Sequence, residues 1–115
     1  MKNWAWCLVL STNLLVAQHA IKGTFSPASE FSYAFLYHAT PTSVDYVNQA
    51  SIHPDGTFEI KLDASVKKGV YKIIYAVPPE ENNFELFYDG NEDIELQFDL
   101  EKGLSFSASK SNMLW

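Results

Sequence analysis

From Phe58 to Leu62 the chain alternates strictly between apolar and polar side chains, and it does so again from Ile94 to Glu101 and from Leu104 to Ala108. Successive side chains of an extended chain point to opposite faces, so each stretch predicts a strand with one buried and one wetted face, as in antiparallel sheets. Three further stretches, Tyr33–Tyr37, Val70–Val77 and Phe84–Tyr88, are apolar on both faces and rich in aromatic and β-branched residues. They predict strands that lie centrally in a sheet or are covered by a second layer. Val44–Ile52 has a mixed pattern and is the weakest strand candidate. No segment keeps the period of a long amphipathic helix.

Turn chemistry separates these stretches. His53-Pro54-Asp55-Gly56 sits between two of them, and Asp-Gly supplies the positive φ that a tight hairpin demands. Lys67-Lys68-Gly69, Asp89-Gly90-Asn91 and Lys102-Gly103 punctuate the chain in the same way, and Pro78-Pro79-Glu80-Glu81-Asn82-Asn83 reads as a polar loop. Short strands with turn signals this close predict an all-β fold. The expected architecture is an antiparallel, immunoglobulin-like β-sandwich of about seven or eight strands, with a small barrel as the alternative.

The N-terminus has a different character. Met1-Lys2-Asn3 leads into the apolar run Trp4–Ala17, which Ser11, Thr12 and Asn13 interrupt. The run is too short and too polar for a stable membrane span, and it reads as a secretory signal peptide over residues 1–18, cleaved near Ala17-Gln18 or after Ala20. Residues 19–115 then form one domain, exported to the periplasm or cell envelope. Cys7 is the single cysteine and leaves with the signal, so the exported form is expected to carry no thiol chemistry and no disulfide.

Composition narrows the function. With 115 residues there is room for one small domain. Arginine is absent, and 8 lysines face 14 acidic residues for a net charge of −6. Phosphate backbones and anionic lipids would be repelled, which argues against nucleic-acid binding. Asp89-Gly90-Asn91-Glu92-Asp93 begins like a calcium loop, but Ile94 stands where glycine is needed and Leu100 where a bidentate glutamate is needed. His19, His38 and His53 lack the spacing of a metal site and read as surface or strand-end side chains. Asp55 has a turn role, Glu80-Glu81 read as solvated loop charges, and Gly103-Leu104-Ser105-Phe106-Ser107 is an ordinary strand and no nucleophile elbow. No catalytic, cofactor-binding or metal-binding residue is therefore assigned. The apolar tail Met113-Leu114-Trp115 calls for a partner surface, in this domain or another.

The order of motifs resembles a known arrangement. Ile21-Lys22-Gly23, Asp55-Gly56-Thr57-Phe58-Glu59-Ile60, Gly69-Val70-Tyr71-Lys72-Ile73, Phe87-Tyr88-Asp89-Gly90-Asn91-Glu92-Asp93-Ile94 and Ser109-Lys110-Ser111-Asn112 run through the chain. Together they resemble the β-sandwich domain of unknown function that precedes secreted thioredoxin-like, AhpC/TSA-type thiol-disulfide oxidoreductases of Gram-negative bacteria. In that family a following Cys-x-x-Cys domain does the redox work, and no such motif lies in this sequence. The resemblance implies an exported, non-catalytic accessory domain that docks a thioredoxin-like protein module. The alternative is a carbohydrate-binding module of the envelope using exposed Tyr37, Tyr46 or Tyr88. A third reading is a hydrolase with an acidic site at Asp89, Glu92 and Asp93.

Overall fold

The computed structural model describes residues 18–109 and Asn112; the expected signal run and the Met113–Trp115 tail lie outside the described residues. The elements are β1 (His19–Ser26), a short 3-10 turn (Ala28–Glu30), β2 (Tyr33–Ala39), β3 (Val44–Ser51), β4 (Thr57–Leu62), β5 (Gly69–Ile74), β6 (Asn83–Tyr88), β7 (Ile94–Asp99) and β8 (Gly103–Ala108). They form two sheets of four strands, β4-β1-β7-β8 and β3-β2-β5-β6. The expected all-β sandwich of about seven or eight strands is what forms, with eight.

Alternation decides which faces meet. Phe58, Ile60 and Leu62 of β4 and Ile94 and Leu96 of β7 point inward from the first sheet; Ala34 and Leu36 of β2, Tyr71 and Ile73 of β5, and Leu86 and Tyr88 of β6 point inward from the second. Each large side chain fully buried this way contributes about 1.5–3 kcal/mol. One end of the core is aromatic. Phe25 lies within 6.2 Å, centroid to centroid, of Phe31, Phe58, Tyr75, Phe84 and Phe98.

Several expectations are corrected. β1 is a full strand, central in its sheet between β4 and β7, and its pairing with β7 is parallel while its pairing with β4 is antiparallel. The Asp55-Gly56 turn closes no hairpin between its neighbours, because β3 and β4 lie in different sheets. Gly56 does take φ +90° and donates to the His53 carbonyl at 2.8 Å. The carbonyl of Gly56 accepts from Phe25 N–H at 2.8 Å, which delivers β4 to β1. The segments Lys67–Gly69 and Asp89–Asn91 likewise cross between sheets, whereas Lys102-Gly103 closes the β7–β8 hairpin. β2 and β5 are central as expected, but β6 is an edge strand. The alternation read to Glu101 ends as a strand at Asp99, whose carboxylate turns back to accept from the N–H groups of Glu101 and Lys102. Those two bonds, from Lys102 first, hold the Asp99 carboxyl below its ordinary value.

The open ends of the sandwich are stapled by asparagines. Asn48 of β3 donates to the carbonyl of Lys61 in β4 at 2.9 Å, joining the two sheets along one side. On the other side Asn112, beyond β8, reaches Phe87 of β6. Exposed strand edges invite pairing with other chains, and side chains that occupy the outward backbone groups suppress it.

Candidate functional site

The two outer faces of the sandwich differ in kind. On the first sheet the outward positions are Lys22 and Thr24 of β1, Thr57, Glu59 and Lys61 of β4, Glu95 and Gln97 of β7, and Ser105 and Ser107 of β8. They form an ordinary wetted surface with a shallow hollow of about 470 Å³ over Lys22, Thr24, His53 and Gln97.

The outward positions of the second sheet are mostly apolar. Register places Phe35 beside Ile74, Tyr37 beside Tyr46, and Ala39 beside both Val44 and Val70, with Val70 opposite Phe87. Lys72, opposite Glu85, is a charged interruption of this face. The rings interlock edge to face: Tyr33 and Phe35 at 5.0 Å, Phe35 and Tyr46 at 6.3 Å, Tyr37 and Tyr46 at 5.9 Å. Such pairs favour a fixed arrangement over independent rings. Of the six exposed large hydrophobic residues among those described, Tyr46 (53%), Val44 (49%), Val70 (41%) and Phe87 (38%) all belong to this face. The other two, Val77 and Leu100, lie in connections. β2 and β5 are thus apolar on both faces, as the sequence indicates, yet among the described residues only one face of each is covered.

The remaining candidate residues are placed as follows. Tyr37 is half-buried and Tyr46 exposed on the aromatic face, while Tyr88 is only 2% exposed, packs on Tyr71 and is no surface ring. Its phenol is pushed up by burial, with Asp89 adding to the effect. His38 stacks on Tyr71 at 4.7 Å, and the Tyr71 hydroxyl donates to the Lys67 carbonyl. His53 is exposed beside Asp55, whose carboxylate accepts from the Thr57 hydroxyl and N–H and is held below its ordinary value by them.

The acidic group at the β6–β7 connection is consumed by local bonding. Asp89 accepts from Asn91 N–H at 2.8 Å, and Asp93 accepts from Ala20 N–H at 3.1 Å and contacts His19 at 3.1 Å. Glu92 accepts from Asp89 N–H at 3.2 Å and from the Ser109 hydroxyl at 3.0 Å. These carboxylates brace a turn and do not converge on a cleft. Among the described residues no three His, Cys, Asp or Glu side chains gather as a metal site would require, and no helix is long and apolar enough to cross a membrane. The brace of Glu92, Ser109 and Asn112 escapes sequence reasoning, because single polar residues far apart in the chain leave no periodic signal.

No protein-family profile and no curated protein matches the sequence. Among solved structures the chain is similar to the crystal structure of (S)-allantoin synthase, at 13% identity and a TM-score of 0.53, over 89% of this chain and 48% of that one. This chain thus spans about half the length of that protein, and at this identity the likeness is one of fold alone.

Proposed function

We propose that this chain is an exported, non-catalytic accessory domain that docks a thioredoxin-like protein module on the outer face of its second sheet. The aromatic face from Tyr33 to Phe87 carries this reading. A largely apolar outer face with several exposed hydrophobic side chains on a small domain points to a protein interface, and aromatic residues are enriched at the core of such interfaces. The resemblance in motif order supplies the class of partner. The local bonding of Asp55, Asp89, Glu92 and Asp93 supports a role without catalysis.

Isothermal titration against reduced and oxidised thioredoxin-like domains tests the reading. Saturable binding is expected with at least one form, weakened about tenfold or more by Tyr46→Ser combined with Val70→Ser, two exposed changes that spare the core. Absence of heat with both forms overturns it.

Export has its own test. Ala20 is buried in β1 and its N–H bonds Asp93, so processing after Ala20 would strip two paired positions from a central strand. Processing at Ala17-Gln18 leaves β1 whole. N-terminal sequencing of protein recovered from the envelope is expected to read Gln18 or His19 first, and an intact Met1 start would contradict export.

A carbohydrate-binding role is the second reading. It draws on a hollow of about 460 Å³ lined by Tyr46 together with His38, Asp45, Ser65 and Lys67. Flat rings next to polar groups suit sugars, and a glycan array with Tyr46→Ala separates the two readings.

A further inference from the structure

We infer that the edge of β6 is a strand-accepting site held shut by Asn112, and that it fits an extended basic peptide. The inference goes beyond the docking face: it concerns the edge of the second sheet and stands on different bonds. Asn112 accepts from the N–H of Phe87 at 2.8 Å and donates to its C=O at 2.7 Å. Those are the two ladder bonds that one residue of an added antiparallel strand would make. Among the described residues the side-chain amide therefore imitates a strand at a single position. It is only 8% exposed and is braced by Ser109 at 2.8 Å, which in turn bonds Glu92.

Pairing alternates along a strand, so the backbone groups of Glu85 lie on the same outward side as those of Phe87. An incoming strand displacing Asn112 would pair along both positions. Its chemistry follows from what surrounds the edge. Glu85 projects beside Phe87 on the outer face with Lys72 of β5 opposite it, while Glu80 and Glu81 in the loop before β6 and Asp89 after it leave the edge acidic on balance, in a chain of net charge −6. A strand with lysine or arginine opposite Glu85 and an apolar side chain opposite Phe87 is complementary. A second copy of this chain would bring its own Glu85 and the same net charge, which disfavours self-pairing.

The latch lowers apparent affinity by the fraction of molecules in which it is closed. Two bonds lost at Asn112→Ala correspond to about tenfold tighter binding. The probe is a short capped peptide in which lysine and valine alternate, added to the isotope-labelled protein and followed by amide shifts. Asn112→Ala is expected to bind it about tenfold more tightly than the unaltered protein, with shifts centred on Glu85 and Phe87. The matched glutamate–valine peptide is expected to bind neither, and Glu85→Lys to lower affinity for the lysine peptide. Equal affinity of the two proteins, shifts away from β6, or self-association of Asn112→Ala without peptide overturns the inference. If Asn112→Ala does not fold, Ser109→Ala loosens the same latch and is expected to change affinity in the same direction.

Discussion

Phe25→Ala is expected to cost about 3–5 kcal/mol, the range for removing a buried aromatic ring and leaving its cavity. A domain of ordinary stability holds only about 5–15 kcal/mol in total, so much of the folded population would be lost. The size of the effect follows from position. Phe25 is 1% exposed and touches rings from both sheets: Phe58 and Phe98 from its own sheet, Phe84 from the other, and Phe31 and Tyr75 from the connections. No single neighbour can collapse into the gap without giving up its own partners. Urea unfolding followed by near-ultraviolet circular dichroism measures the loss. Tyr46→Ala, exposed on the aromatic outer face, is the control and should change stability by no more than about 0.5 kcal/mol. A loss below about 1 kcal/mol at Phe25 would mean that the aromatic end of the core is not closed as described.

Gly23→Val is the second large expected effect, and its cause is purely steric. A Cβ at Gly23 would stand 2.1 Å from the backbone oxygen of Leu96 and 3.2 Å from its side chain. Backbone cannot yield there, because Gly23 pairs with Phe58 on one side and Leu96 on the other, and Leu96 is fully buried. The variant must break the β1–β7 parallel pairing or spread the sheet, at about 3 kcal/mol or more. Gly103 offers the contrast. Its φ of +90° strains any other residue, but nothing lies within 4 Å of its added Cβ, so Gly103→Ala is expected to cost only about 1–2 kcal/mol. Thermal unfolding of the two variants side by side should show the difference, and a Gly23→Val midpoint equal to that of Gly103→Ala would refute the close approach.

Phe25 and Gly23 both lie on β1, the strand least legible in the sequence. His19–Ser26 carries lysine, glycine, threonine and serine among its apolar residues, and it directly follows the apolar signal-like run. Gly23 weakens the local strand signal for the very reason the fold needs it, since only a bare Cα fits against Leu96. The alternation of β4, β7 and β8 was plain because one face of each meets water. At Asp55-Gly56 the turn conformation was legible while its destination was not, since a bond from Phe25 decides where β4 goes. Tyr88 shows a finer failure: it shares parity with Phe84 and Leu86, all three buried, and an apolar run on both faces hides that parity. On the aromatic outer face the sequence shows that β2 and β5 have a second apolar side, but only the sheet order shows that side uncovered among the described residues.

Mapping the amides and methyls that shift when a thioredoxin-like domain is added tests the docking role most directly. Perturbations at Tyr37, Tyr46, Val70 and Ile74, with Lys22, Thr24, Glu59 and Gln97 unmoved, are the predicted result. Perturbations centred on that polar first-sheet face, or none at saturating partner, would contradict it.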